Sequence, residues 1–161
     1  LKAEGAELLV SPNGSPFERG KHDKRCAHAH ARVGETGLPL VYVNQFGGQD
    51  ELVFDGGSFV MAGDGEIAVQ GAVWSQDIMM TDWHCSDGVW ACSPQKAASA
   101  PDDLAQIYQA AMLGLRDYVT KNGFPGVLLG LSGGIDSAIC AAMAVDALGA
   151  EHVHAVMLPS L

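Results

Sequence analysis

The stretch LLGLSGGIDSA, residues 128–138, decides how the second half of this chain is read. It passes from an apolar run through a small polar loop into the start of a helix. Around it, GVLLGLS (126–132) has the composition of a strand. DSAICAAMAVDALG (136–149) is apolar nearly all round and is expected to be a core helix ending at Gly149, and HVHAVMLP (152–159) reads as a second strand. Strand, short loop, buried helix, strand is a βαβ unit, in which the two strands run parallel. The loop Ser132-Gly133-Gly134-Ile135-Asp136-Ser137 therefore meets a helix N-terminus. Unpaired N–H groups and the helix dipole favour an anion there. Gly133 and Gly134 allow backbone dihedrals closed to other residues and let a phosphate approach closely. The hydroxyls of Ser132 and Ser137 add potential donors.

A phosphate loop of this kind has one unusual feature: no lysine follows the glycines. The Walker A pattern GxxxxGK[ST] fails, and so does the dinucleotide pattern GxGxxG, so hydride chemistry gains no support. The carboxylate of Asp136 carries the alternative. Beside a polyphosphate it would be repelled unless a cation intervened, and Mg²⁺ favours carboxylate and phosphate oxygens together. A pyrophosphate gripped in this way is suited to leave, with attack at the α-phosphate. The simpler reading is a turn with an ordinary Asp or Ser N-cap. The strand–SGGxDS–helix context favours phosphate over that reading.

Working outward, PDDLAQIYQAAMLGLRDYVTKNG (101–123) is a helix. Leu104, Ile107, Tyr108, Ala111, Leu115 and Tyr118 recur at three-and-four spacing. Pro101 suits the first turn, Asp102 and Asp103 oppose the positive end of the dipole, and Asn122-Gly123 supplies a left-handed stop. Residues 81–101 (TDWHCSDGVWACSPQKAASAP) carry small residues, two prolines and no clear period, which is linker composition. Residues 1–80 read as β-rich. AELLV is a short run ended by SPNGSP, and LPLVYVNQ (38–45) fits a buried strand. ELVFDGGSFVM and EIAVQGAV flank the hairpin turn AGDG. ERGKHDKRCAHAHARVGETG is polar and helical over its middle. NQFGGQDE (44–51) is a polar segment in which Asn44, Gln45 and Gln49, if buried, would need partners.

Composition sets the outer bounds. The chain has 161 residues, is 48% hydrophobic and 17% charged, and carries a net charge of −10 with a pI near 4.8. That is the composition of an ordinary globular protein with enough apolar residues for a core. The acidity argues against a nucleic-acid backbone or an anionic membrane as partner. No apolar run is long enough to span a bilayer. LKAEGAELLV lacks the charged-then-apolar order of a secretory signal. The chain starts on Leu1 and stops just after a strand, so an internal fragment of a longer protein is expected. Cys26, Cys85, Cys92 and Cys140 match no paired zinc spacing. CAHAH and DWHCSDGVWAC offer at most two or three metal ligands each, and exposed histidines with reduced thiols in a cytoplasmic protein are the simpler reading.

LSGGIDS resembles the pyrophosphate loop of the N-type ATP pyrophosphatases. LLVSPNGSPFERGK, GLPLVYVNQFGGQDELVFDGGSF and GLSGGIDSA, in that order, resemble the glutamine-dependent NAD synthetase family. The resemblance covers nearly the whole chain and is weakest over 72–101. It implies an α/β fold in two parts. Residues 1–80 would be the C-terminal part of a nitrilase-like αββα sandwich, a glutaminase of the carbon–nitrogen hydrolase type. After a linker at 81–101, residues 102–161 would be the first βαβ unit of a Rossmann-like parallel-sheet ATP pyrophosphatase domain. The implied reaction is ATP-dependent amidation of deamido-NAD through an adenylate, with ammonia from glutamine and release of AMP and pyrophosphate.

The resemblance also implies site residues. Ser15 and Lys21 would contact glutamine, Lys21 as a point charge for the α-carboxylate, with Arg19 a weaker candidate. On position alone Ser15 is a turn residue and Lys21 a solvated lysine. ATP would meet Gly130, Leu131, Ser132, Gly133, Gly134, Ile135, Asp136 and Ser137, with Asp136 as the Mg²⁺ ligand. Met157 and Leu158 would approach the adenosine. The family's Glu-Lys-Cys triad lies upstream of SPNGSP, so Cys26 is rejected as nucleophile, no catalytic residue is assigned, and this chain alone is expected to be inactive. The partners implied are small molecules only, with a homo-oligomer when full length. The rival readings are another pyrophosphate-loop amidotransferase, or a carbon–nitrogen hydrolase with a non-catalytic ligase half.

Overall fold

A computed structural model describes residues 1–95 and 98–157. The chain divides into two units, residues 1–46 with 54–101, and residues 47–53 with 102–161. The expectation for Leu158 lies outside the described residues.

In the first unit, β-branched and aromatic residues build a four-stranded sheet. Its strands are β1 (Leu9–Asn13), β2 (Leu40–Asn44), β5 (Phe59–Met61) and β6 (Ile67–Gln70), in the order β1-β2-β5-β6. β1 and β2 are parallel in register Leu9↔Leu40, while β2–β5 and β5–β6 are antiparallel. β1 runs on through Ser11-Pro12-Asn13, where a turn was expected. Pro12 is tolerated because β1 lies at the sheet edge and has a neighbour on one side only. Helix α1 (Lys21–Thr36) starts after Gly20 at φ 71° and stops at Gly37 at φ 66°, whose N–H returns to the Val33 carbonyl.

Alternation of side chains across the sheet makes two apolar layers. On one face Leu40, Phe59 and Met61 pack with Ala29 and Val33 of α1. On the other, Val60, Ala68 and Val69 pack with Cys92. Phe59 is fully buried and stacks on its register partner Tyr42, ring centroids 4.9 Å apart. Residues 81–101, read as a linker, contain a hairpin, β7 (Trp83–Ser86) and β8 (Val89–Cys92), that groups with the first unit. Asp87 and Gly88 both take positive φ, 51° and 76°, as a two-residue hairpin turn requires.

The second unit is built on helix α2 (Asp103–Lys121). Asp102 caps it, its carboxylate accepting from the Ala105 N–H at 2.9 Å. Strands β9 (Val127–Leu131) and β10 (Val153–Met157) are parallel, Val127 opposite Val153, and α3 (Ile135–Leu148) connects them. α3 is not the fully buried helix expected. Ala144 is its one buried residue among those described, while Ile135 and Ile139 are 78% and 51% exposed. Two strands and α2 cover only part of a helix that is apolar on every side.

Residues 47–53 also belong to this unit. They form the tip of a hairpin made by β3 (Phe46–Gln49) and β4 (Leu52–Asp55). The Gly48 N–H donates to Asp117 Oδ2 at 2.8 Å, and Lys121 Nζ donates to the Gly48 carbonyl. A Cβ on Gly48 would lie 3.0 Å from Asp117 Cβ and 3.4 Å from Gly114 Cα, so the approach to α2 needs glycine. Burial raises the Asp117 pKa, but the Gly48 N–H, Arg116 and Lys121 together outweigh it and hold the carboxyl below its ordinary range. Of the three amides that burial would oblige to find partners, Asn44 is buried, while Gln45 and Gln49 are exposed.

Gly126 enters β9 directly under the His152 carbonyl, where a Cβ would collide with backbone. Backbone cannot yield as a side-chain end does. Gly126→Ala is therefore expected to destabilise the second unit by about 1–3 kcal/mol, as overpacking does. Circular-dichroism melting checks this, and an unchanged transition would contradict it.

Candidate functional site

In the first unit the parallel strands β1 and β2 end at Asn13 and Asn44, and ligands of open α/β sheets gather beyond such strand ends. The loop leaving β1 carries Ser15, one of the residues the sequence singles out, and a buried polar network holds it. Arg25, Asn44 and Asp55 are 4%, 7% and 3% exposed. The Arg25 guanidinium makes a two-pronged pair with Asp55, both N···O distances 2.8 Å. It also donates to Ser15 Oγ at 3.1 Å and to the carbonyls of Ser15 and Pro16 at 2.8 and 3.2 Å. Asn44 Oδ1 accepts from the Ser15 N–H, and Asn44 Nδ2 donates to the carbonyls of Ser15 and Gly56. A charged pair this deep is tolerated only because its donors and acceptors are satisfied.

Lys21 lies at the start of α1, in the same unit. Its ammonium bonds Glu18 Oε1 at 2.6 Å, so the positive charge is already partnered. That hydrogen bond and the lysine charge lower the Glu18 pKa. A cavity of about 370 Å³ is lined by Ser15, Lys21 and Arg25 together with Ser11, Asn13 and Tyr42. That size is within the range of small-molecule sites. Ser15 and Lys21 thus face one cavity, and Arg25 joins them. A second cavity, about 340 Å³, is lined by Asn44, Gly56, Gly57, Ser58 and Asp77.

Cys26 is half-buried, 3.5 Å from His22 Nε2. Burial first, then the charge of Asp23, pushes its thiol pKa up against the opposing influence of Arg25. A thiol held protonated is a poor nucleophile. Trp74 has φ 65°, a strained value for a bulky side chain. Its backbone N–H donates to the Asp55 carbonyl, and its ring meets Phe17 edge-on at 4.8 Å. Among the described residues, no group of three or more His, Cys, Asp or Glu side chains is arranged to hold a metal ion.

The second unit presents the loop 132–137. Gly133 takes φ 85°, the left-handed conformation that favours glycine. Gly134 is the N-cap of α3, and no side chain caps the first-turn amides. The two serines, expected as phosphate donors, also bond within the loop. Ser132 Oγ lies 3.2 Å from Ser137 Oγ and accepts from the Gly134 N–H at 3.4 Å. Ser137 Oγ donates to the Gly134 carbonyl at 2.9 Å and accepts from the Ser132 N–H. These bonds brace the loop, while the first-turn amides stand without a side-chain cap. Asp136 stands exposed in the first turn. A single exposed carboxylate, to be completed by water and phosphate oxygens, fits the donor set of Mg²⁺. Gly130 and Leu131 end β9 just before the loop, and Met157 at the end of the neighbouring β10 is 78% exposed.

Arg25 and Asp55 were missed from the sequence. The available signal was an Asp directly after the apolar run LVF, where an unpaired carboxylate would be costly. Finding its partner needed the fold.

The carbon–nitrogen hydrolase family matches residues 1–87, and the NAD synthase family matches residues 107–161. The glutamine-dependent NAD(+) synthetase of Rhodobacter capsulatus is 52% identical over 160 residues, which is 99% of this chain and 29% of that protein. The corresponding protein of Acinetobacter baylyi is 42% identical over 161 residues, again 99% of this chain and 29% of the relative. The structure of the glutamine-dependent NAD+ synthetase from Acinetobacter baumannii in complex with adenosine diphosphate superposes with a TM-score of 0.89 at 43% identity. It covers 98% of this chain and 30% of that one. The chain thus spans under a third of the length of these relatives.

Proposed function

Because this chain belongs to the carbon–nitrogen hydrolase family over residues 1–87 and matches the NAD synthase family over residues 107–161, we propose that it is the junction of a glutamine-fed NAD⁺ synthetase. Residues 1–80 complete a glutaminase, the hairpin-bearing segment 81–101 groups with it, and residues 102–161 begin the ligase. The ligase joins ammonia to the carboxylate of deamido-NAD. ATP first adenylates that carboxylate and releases pyrophosphate, then ammonia displaces AMP. The observation that carries this reading is the loop 132–137, with its uncapped amides and exposed carboxylate but no lysine. Such a loop suits a diphosphate that departs better than a γ-phosphate being transferred.

In this reading the amides of Ile135, Asp136 and Ser137 bind the departing diphosphate, and Gly133 and Gly134 let it come close. Asp136 would hold Mg²⁺, which supplies charge neutralisation at the phosphates. Gly130, Leu131 and Ser132 line the approach, with Met157 at the adenosine. In the glutaminase half, Ser15 and Lys21 orient glutamine. The Glu-Lys-Cys triad is not among these residues, so this chain alone is expected to turn over no glutamine.

No helix among the described residues is long and apolar enough to cross a membrane. The four thiols are free, which supports a reducing cytoplasm as the site of action. We place the working enzyme there, as a homo-oligomer.

The full-length enzyme tests the proposal. Given deamido-NAD, ATP and glutamine it should form NAD⁺ with AMP in equal amount. Formation of ADP, or amidation of XMP in place of deamido-NAD, would refute it. Glutamine hydrolysis without any ligase product would instead identify a hydrolase with an inert second half.

A further inference from the structure

Ser15 is bonded at almost every polar atom. Its N–H donates to Asn44 Oδ1 at 2.9 Å. Its carbonyl accepts from Asn44 Nδ2 at 3.1 Å and from Arg25 Nη2 at 2.8 Å. Its Oγ accepts from Arg25 Nε at 3.1 Å. A hydroxyl has one proton to give, and a guanidinium has no lone pair to receive it. Among the described residues, these bonds leave the Ser15 hydroxyl proton and one Oγ lone pair without a fixed place.

We infer that Arg25 is a positioning residue of the glutamine site, one that occupies a lone pair of Ser15 Oγ, turns the hydroxyl proton toward the bound amino acid and so favours an anionic acceptor, the α-carboxylate, over a neutral amide. The inference rests on the reading of Ser15 as a glutamine contact. Three features support it. The Arg25 fork is itself fixed, because Asp55 grips two of its nitrogens at 2.8 Å and both side chains are almost fully buried. Arginine keeps its charge at all working pH values, so Arg25 remains a donor to Ser15 Oγ throughout. Ser15 and Arg25 line the same cavity as Lys21. An O–H donor to a carboxylate is about twice as strong as one to a neutral carbonyl, which gives the selection.

Lysine at position 25 would keep a charge for Asp55, but as a point charge it cannot hold Ser15 Oγ and two carbonyls in one plane. The test uses the full-length enzyme with Ser15→Ala, Arg25→Lys and the double variant. Glutaminase kcat and KM are measured with glutamine and with its α-carboxamide derivative. Arg25→Lys should raise KM for glutamine by about 10-fold while kcat changes by less than about twofold, and should narrow the preference for glutamine over the α-amide. In the Ser15→Ala background the same change should add less than about twofold, since a residue acting through Ser15 has nothing left to position. Equal factors in both backgrounds, or an unchanged preference, would overturn the role of Arg25. A Ser15→Ala enzyme with unaltered KM would instead remove Ser15 from the glutamine site and overturn the reading beneath it. Should Arg25→Lys fail to fold, the paired Arg25→Met and Asp55→Leu replacement, which leaves no buried charge, removes the fork instead. It should give the same non-additive pattern, and additivity there counts against the inference equally.

Discussion

Replacing Asp55 with alanine is expected to destabilise the first unit by about 3–5 kcal/mol, the cost of leaving one member of a buried ion pair behind. The carboxylate is 4% exposed and meets the Arg25 guanidinium through two bonds of 2.8 Å. Once it is gone, Arg25 keeps only the Ser15 and Pro16 carbonyls and a hydroxyl oxygen, none of which carries charge. Ionising an isolated buried group costs far more than a surface pair contributes. Trp74, Trp83 and Trp90 all lie in the first unit, so tryptophan fluorescence during chemical denaturation follows that unit alone. The midpoint should fall with the slope preserved. A second comparison sharpens the prediction. Replacing Arg25 and Asp55 together by Met and Leu removes both charges, and should cost less than Asp55→Ala alone. A loss under about 1 kcal/mol for Asp55→Ala would mean that water reaches the pair, contrary to its burial.

The second large effect concerns Asp136. Asp136→Asn keeps the size of the side chain and removes its charge, and is expected to lower NAD⁺ formation by the full-length enzyme about 10²–10³-fold, the scale seen when one preorganised electrostatic contact in a reaction site is lost. The backbone amides at the start of α3 and the serine-braced loop do not depend on this side chain. Nucleotide binding should therefore weaken much less than turnover, which is the signature of an interaction felt mainly as the diphosphate departs. Supplying ammonia in place of glutamine isolates the ligase step from the other unit. A loss below about tenfold would show that Asp136 does not hold the cation on the leaving group.

Much of this architecture was legible from local pattern. The existence of α2, the strand at 40–44 and the βαβ order of 127–157 all follow from rules that act within a few residues. The details of α2 do not: Pro101 lies before the helix, Asp102, read as countering the dipole, is its cap, and Leu113 and Val119 are buried while Leu104, Ile107 and Tyr118 of the expected stripe are exposed. The unread parts depend on distant neighbours. β1 extends through Pro12 only because one side of that strand faces no partner. The hairpin at 83–92 lacks an apolar period, yet Asp87-Gly88 between two tryptophan-bearing runs was a local sign of it. The hairpin at 46–55 depends on glycines whose reason is the surface of α2. At the candidate site, the resemblance proposed Ser15 and Lys21, and the apolar strand gave Asn44 as a polar group that would need partners if buried. Arg25 was invisible, since an arginine in a polar helix reads as solvated until its carboxylate, 30 residues on, is brought beneath it.

The segment 47–53 has a consequence for anyone building chimaeras. Seven residues encoded within the first half fold as part of the second, with Gly48 bonded to Asp117 and Lys121. A crossover placed after residue 101 would take the hairpin from one parent and its helical seat from the other. Recombined halves would then inherit a mismatched seam unless positions 47–53 and the surface of α2 travelled together.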